Sequence, residues 1–306
     1  MWKKGLLWVA IVATMSAYLM VKADDRVLTP LLCGANQACN VAGIYYGLMP
    51  KSNPASRRDD FRRILKEKNI YAIRFPGGTL ATLYLAENLE LMRRLPGREY
   101  ASLPELDKKD WVTPWQFFDF CRDAAIEPIY QLNTLLFAEN GVVYLLADAK
   151  SGGIQGNDFR WGGAQIILDT SKRAAAAKAV TTFVAKTIEK GFKVRHWELG
   201  NEEYGGPRID PKDYADIAVR FTRAVHEADP TAKVWITLGD NQMRHPNSEF
   251  YKWSETLLLE LKRSGMQKEK NWAFTLHYVN PGSMDAPAEM VRKYGLLPVL
   301  SVLFRP

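Results

Sequence analysis

Apolar positions along the chain recur with two periods that alternate. "VLTPLLCGAN" (27–36) opens as a strand, and "SRRDDFRRILKEKN" (56–69) then puts Phe61, Ile64 and Leu65 at helical spacing. "IYAIRF" (70–75) is a buried-strand run, and after a polar stretch "TPWQFFDFCRDAAI" (113–126) reads as a helix. Thr113 is placed to cap it and Pro114 stands at its first position. "EPIYQLN" (127–133) is the third strand. Ser171 is expected to cap the helix in "KRAAAAKAVTTFVAKTIEK", and Gly191 stands where a left-handed residue would stop it. "KVRHWELGN" (193–201) follows as a strand. "DPKDYADIAVRFTRAVHEAD" (210–229) then gathers Tyr214, Ile217, Ala218, Phe221, Ala224 and Val225 on one helical face. "KVWITLG" (233–239), a helix through "EFYKWSETLLLELKRS" (249–264) and "WAFTLHYV" (272–279) complete the series.

Six strand candidates alternating with helices predict an α/β fold with a covered parallel sheet. A doubly wound dinucleotide fold would carry G-x-G-x-x-G after its first strand, and none is present. Each strand ends in Gly, Asn, His or Glu, which fits a (β/α)₈ TIM barrel, where chemistry collects at the strands' carboxyl ends. Eight units take about 250 residues, but two long loops, 85–112 and 134–170, use up much of the chain. The remaining tail supplies one more helix and "LLPVLSVLF" as a seventh strand. The barrel is expected to be incomplete at its C-terminus, with six to seven of eight units.

Composition narrows the setting. "MWKK" followed by "GLLWVAIVATMSAYLMV" reads as a secretory signal peptide over residues 1–23, with cleavage near Ala23; an uncleaved N-terminal anchor is the other reading. The mature barrel then spans 24–306 in a secreted or periplasmic protein. The full chain has 41 basic and 34 acidic residues, a net charge of +7. Without Lys3, Lys4 and Lys22 the balance is +4, spread with no tract longer than paired cations, so no nucleic-acid footprint is expected. In an oxidising compartment Cys33 and Cys39 can pair across a short loop, or all three cysteines, with Cys121, stay unpaired. No CxxC spacing occurs, and neither a metal nor a cofactor is expected.

Three stretches carry candidate chemistry. In "IRFPGG" (73–78), Arg74 precedes a sharp Pro76-Gly77-Gly78 turn, and a buried arginine there can hold a carboxylate by a charge-assisted fork. In "WELGNEE" (197–203), Asn201 and Glu202 sit just past a strand. A general acid in glycoside cleavage needs a carboxyl in such a cleft. In "LHYV" (276–279), His277 and Tyr278 end the sixth strand. Aromatic residues near the strand ends, Trp115, Phe159 and Trp161, are candidates to stack on sugar rings.

R-F-P-G-G, G-N-E and H-Y, in this order at strand ends over roughly 27–280, resemble a superfamily of retaining glycoside hydrolases built on (β/α)₈ barrels. Within it the chain is most similar to the α-L-arabinofuranosidases, with the heparanase-like β-glucuronidases second. The resemblance implies an exported enzyme acting on oligo- or polysaccharide side chains. It makes Glu202 the acid/base, Asn201 the ligand of a sugar 2-hydroxyl and Arg74 the arginine that orients the catalytic carboxylates. His277 and Tyr278 would line the subsite, with Asn133, at the end of the third strand, a looser match. Thr79 stands where arabinofuranosidases usually have Asn. Glu203 is expected at the rim, and Glu198 as a buried partner within its strand.

A retaining mechanism needs two carboxylates about 5 Å apart. The superfamily carries its nucleophile at the end of the seventh strand, yet "LLPVLSVLF" holds no acidic residue and Glu289 is the last in the chain. The expectation is therefore a truncated or degenerate chain with little or no turnover. The competing reading is a non-hydrolytic carbohydrate-binding barrel.

Overall fold

The computed structural model describes residues 34–36, 55–82, 84–86, 112–149, 160–161, 164–205, 208–239, 247–276, 285–296 and 300–302. In chain order the elements begin with β1 (Gly34–Asn36), α1 (Ala55–Glu67), β2 (Ala72–Phe75), α2 (Pro114–Ala124) and β3 (Glu127–Leu132). Four strands follow: β4 (Leu136–Glu139), β5 (Val142–Leu145), β6 (Arg160–Trp161) and β7 (Ala164–Leu168). Then come α3 (Arg173–Glu189), β8 (His196–Leu199), α4 (Pro211–Ala228), β9 (Lys233–Thr237) and α5 (Glu249–Arg263). The series closes with β10 (Trp272–Leu276), α6 (Asp285–Lys293) and β11 (Leu300–Val302).

Seven strands form one sheet in the order β1-β2-β3-β8-β9-β10-β11, every pairing parallel. That order follows the chain without a reversal, so among the described residues there is no doubly wound switch point. Right-handed crossovers then put the helices on a single face of the sheet. The helix-facing side is apolar and buried: Ile73, Phe75, Tyr130, Leu132, Trp197, Leu199, Val234, Ile236, Phe274 and Leu276 all join the main core. The alternate residues are buried too. Ala72, Ile129, Trp235 and Ala273 make a separate small cluster, and Arg74, Gln131, Glu198, Thr237 and Thr275, towards the carboxyl ends, are each 2% exposed or less. A sheet face that no helix covers is buried by curling on itself, as in a barrel. Among the described residues β1 and β11 are the outermost strands and no closed ring is seen.

The helices begin and end where their caps dictate. Thr113 and Gln116 form a reciprocal capping box ahead of Pro114. Asp210 caps α4 and Ser248 caps α5. Gly191, at φ +76°, donates to the Ile188 carbonyl while Phe192 donates to Thr187, the paired bonds of a Schellman stop. The start of α3 differs from expectation. Ser171 does not cap it: Lys172 stands at the N-cap with no side-chain cap bond, and Asp169 instead caps a short 3₁₀ turn, Thr170–Lys172, its carboxylate accepting from the backbone N–H and hydroxyl of Ser171. The Ser171 hydroxyl is itself engaged there as a donor to Asp169.

Residues 134–170, expected as a loop, instead contain a second sheet in the order β4-β5-β7-β6. Its hairpin turns through Asn140 (φ +51°) and Gly141 (φ +78°), the two left-handed residues that match the twist of a two-residue hairpin. Most of the other long loop, 87–111, lies outside the described residues, as do the signal-peptide region, Cys33 and Cys39. Cys121 is a free, buried thiol whose pKa is pushed well up by burial. Among the described residues no helix is long and apolar enough to cross a membrane.

Candidate active site

At the carboxyl ends of β2, β3 and β8 the polar residues interlock. Arg74, 2% exposed, donates from Nε and Nη2 to the two carboxylate oxygens of Glu198, which is fully buried, and from Nη2 to Asn201 Oδ1 at 2.9 Å. Glu198 is thus the buried partner that its place inside an apolar strand implied. The Pro76-Gly77 turn is fastened to the same layer. The Gly77 N–H donates to Gln131 Oε1 (2.8 Å), and Gln131 Nε2 donates to the Gly200 carbonyl (3.1 Å). The Gly200 N–H in turn donates to the Leu132 carbonyl, continuing the β3–β8 ladder one residue past the strand.

The turn after β8 carries the candidate acid/base. Gly200 (φ +69°) and Glu202 (φ +55°) are both left-handed, and Glu202 is half-buried while Asn201 and Glu203 are buried. A non-glycine residue at positive φ is uncommon, and such strain clusters at functional sites. Glu203 departs from its expected place at the rim. It is fully buried, and its Oε1 accepts from the Asn201 N–H (2.8 Å) and from the Thr134 hydroxyl (2.7 Å). Gly200 makes this possible, because a Cβ there would lie 1.7 Å from Glu203 Oε1.

Asn133 is differently employed. Its Nδ2 donates to the Thr82 and Tyr84 carbonyls, and its Oδ1 accepts from the Leu135 and Leu136 N–H groups. Both ends of the amide bind backbone, so this side chain shapes the loop after β3. Trp115 packs against Phe118, Phe183 and Phe192 with Lys186 and Lys190 over its ring, an aromatic joint between α2 and the end of α3. His277, Tyr278, Phe159 and the Trp161 side chain lie outside the described residues.

Behind the turn, Tyr214 of α4 is fully buried. Its hydroxyl donates to the Leu199 carbonyl (2.8 Å) and accepts from the Thr237 N–H (3.1 Å), stitching the ends of β8 and β9 together. Burial pushes this phenol well above its usual pKa, and the nearby Glu203 carboxylate adds to the effect. Gln131 and Thr134 belong to none of the three motifs, and Gly200 enters them only as the glycine of G-N-E. The one available signal was a glutamine inside the otherwise apolar "EPIYQL", a polar residue where a parallel strand is normally apolar on both faces.

A parallel, sequentially wound sheet with its polar residues gathered at the strands' carboxyl ends is a barrel-type α/β fold. No protein-family model matches the chain. By sequence it is similar to a probable α-L-arabinofuranosidase C of Aspergillus clavatus, 25% identical over 199 residues, covering 62% of this chain and 35% of the relative. The Aspergillus fumigatus counterpart is 24% identical over the same length, with the same coverage. By fold it is similar to a family 51 α-L-arabinofuranosidase from Bifidobacterium longum, with TM-score 0.55 and 15% identity, covering 91% of this chain and 56% of that one. An α-L-arabinofuranosidase from Thermotoga maritima gives TM-score 0.52 and 14% identity, covering 88% and 54%. Sequence and fold comparisons thus agree that the chain is similar to α-L-arabinofuranosidases. It spans about a third of the length of the curated relatives it matches.

Proposed function

We propose that this chain carries the acid/base side of a retaining α-L-arabinofuranosidase-type site. Glu202 is the acid/base in this reading, and Asn201 binds the sugar. The observation that carries the reading is the turn itself: a half-buried carboxylate at positive φ just past β8, beside an asparagine held by a buried Arg74–Glu198 pair. With its Oδ1 on Arg74, Asn201 has its Nδ2 hydrogens to offer a sugar hydroxyl. Arg74 acts through Asn201 and Glu198 and needs no contact with sugar. His277 and Tyr278, which the resemblance puts at the subsite, are the next residues in sequence after β10. The substrate class is arabinofuranosyl side chains of oligo- or polysaccharides, met outside the cytoplasm after removal of residues 1–23 near Ala23, with the barrel running from residue 24 to 306.

The second carboxylate is the open position. β11 pairs with β10 as the seventh strand of the sheet and holds no acidic residue. Little or no turnover by the 306-residue chain follows, with saccharide binding retained. Calorimetric titration with arabinofuranosyl oligosaccharides tests the binding half. Affinity is expected to fall about tenfold in Asn201→Ala, the scale of one lost buried hydrogen bond. Absence of any saccharide binding by the unaltered chain would sink the reading. Assay on aryl α-L-arabinofuranosides and aryl β-glucuronides tests the rest. Turnover that disappears in Glu202→Gln would show a complete carboxylate pair and overturn the claim of a missing nucleophile.

A further inference from the structure

We propose that Glu203 is a positioning residue: its carboxylate is the clasp that holds Glu202 and Asn201 in place. The proposal rests on the reading of Glu202 as the acid/base. Glu203 Oε1 accepts from the N–H of Asn201, two residues earlier, at 2.8 Å, closing a ring whose middle member is Glu202. A side chain that reaches back over one residue to the preceding N–H restricts the φ of the residue between. Glu202 is the one non-glycine residue of that turn, among those described, with positive φ. The left-handed conformation costs a glutamate stability in isolation, so something must hold it, and the ring is in place to do so.

The same oxygen ties the turn to another strand. Thr134, just past β3, donates its hydroxyl to Glu203 Oε1 at 2.7 Å, while the Glu203 carbonyl accepts from the Ile209 N–H at 3.1 Å. Residue 203 is therefore fixed by its carboxylate on one side and its carbonyl on the other. The Gly205 N–H meanwhile donates to the Glu202 carbonyl at 2.8 Å. The space for the carboxylate exists only because residue 200 has no side chain: a Cβ there would come within 2.4 Å of Thr134 Oγ1 as well as 1.7 Å from the carboxylate. Three sequence choices, Thr134, Gly200 and Glu203, thus serve one mount. Glu202 is half-buried, while Glu203 is fully buried. The two adjacent glutamates divide the work, one offered to a ligand and one holding its neighbour.

NMR on the full 306-residue chain tests this without substrate, so its outcome is independent of whether the chain turns over sugar. The readouts are hydrogen exchange at the Asn201 amide and the three-bond HN–Hα coupling and carbon shifts of Glu202, which report its φ. In Glu203→Ala the Asn201 amide is expected to exchange at least about tenfold faster, the scale of a lost charge-assisted bond, with Glu202 leaving its left-handed signature. Glu203→Gln keeps an acceptor at Oε1 and should retain both. Thr134→Val removes one of the two donors at little change in shape and should speed Asn201 exchange severalfold; it decides the matter if the alanine variant does not fold. Unchanged exchange and coupling in Glu203→Ala or Thr134→Val would overturn the proposal, as would equal loss in Glu203→Gln and Glu203→Ala. In the saccharide titration, Glu203→Ala should weaken binding as Asn201→Ala does, with Glu203→Gln restoring it. If binding is absent throughout but the NMR changes appear, the clasp stands and the glycosidase reading fails.

Discussion

The Arg74 guanidinium, on β2, holds the Glu198 carboxylate, on β8, through two nitrogens across the intervening strand β3, 124 residues apart in sequence. Both side chains are withdrawn from water, so neither charge is tolerable alone. Glu198→Ala leaves a buried guanidinium without its carboxylate, and a loss of roughly 3–5 kcal/mol is expected from breaking such a pair on one side. Replacing both, as Arg74→Met with Glu198→Leu, should recover much of that loss. Urea denaturation of the three chains, with constant m-values, checks it. A single variant as stable as the parent would mean the pair is not closed in solution.

How far these arrangements were legible in sequence depends on their range. The apolar face of α4 was readable because helical periodicity is local, and all six residues it named are buried. The strands were readable as apolar runs, and their sequential order makes the barrel-type fold. The β4–β5 hairpin has a local signal as well, Asn140-Gly141 between "LFAE" and "VVYL", but no helix separates its strands, so it falls outside the strand–helix alternation that marks the barrel. Glu203 was different in kind. From sequence it is one of two adjacent glutamates in a turn, and what buries it is Thr134, 69 residues away, together with an empty position at Gly200. Asn133 likewise reads in sequence as a strand-end residue, while the Thr82 and Tyr84 carbonyls that accept from its amide lie 51 and 49 residues away.

Gly200→Ala should be among the most damaging single-methyl additions available. The residue sits at φ +69°, which alanine resists, and its new Cβ would meet Glu203 Oε1 at 1.7 Å and Thr134 Oγ1 at 2.4 Å. Neither neighbour can retreat without breaking the bond it makes to the other or to Asn201. A destabilisation of about 3 kcal/mol or more is expected from strain and steric displacement together. Gly265→Ala is the control: it shares a positive φ, +84°, but meets nothing within 4 Å, so it should cost only the backbone term, about 1 kcal/mol. Thermal unfolding of the two variants side by side measures the difference.

Tyr214→Phe removes one oxygen and unbonds two backbone groups. The Leu199 carbonyl loses its donor and the Thr237 N–H its acceptor, both at fully buried residues. A cost of about 2–4 kcal/mol is expected, since each stranded group contributes about 1–2 kcal/mol. The ring itself, stacked on Trp253 at 5.6 Å, remains, so the fold should survive. Because the β8 end leads directly into Gly200, faster amide exchange at Gly200 and Asn201 should accompany the loss. Exchange confined to Thr237 would separate the two strand ends.

At the opposite end of β8, His196 makes stability depend on pH. Burial lowers its pKa from 6.5 to about 4, despite the nearby Glu127 carboxylate, which pulls the other way; Arg195 and Lys233 add to the depression. Its Nδ1 accepts from the Trp235 indole N–H at 3.2 Å, so the folded state needs the neutral ring. Above pH 6.5 the folded and unfolded chains are both neutral at this site and no stability is at stake. As pH falls below 6.5 the unfolded chain takes up a proton that the folded chain refuses, so stability drops. The drop should reach about 2 kcal/mol at pH 5 and about 3 kcal/mol near pH 4, where it levels off. His196→Gln, which keeps an acceptor for Trp235 and cannot titrate, should remove that part of the pH dependence. The comparison is best made between pH 7 and pH 5, before most carboxylates titrate. Parallel stability curves for the two chains over that range would mean that His196 is protonated in the folded protein as readily as in the unfolded one.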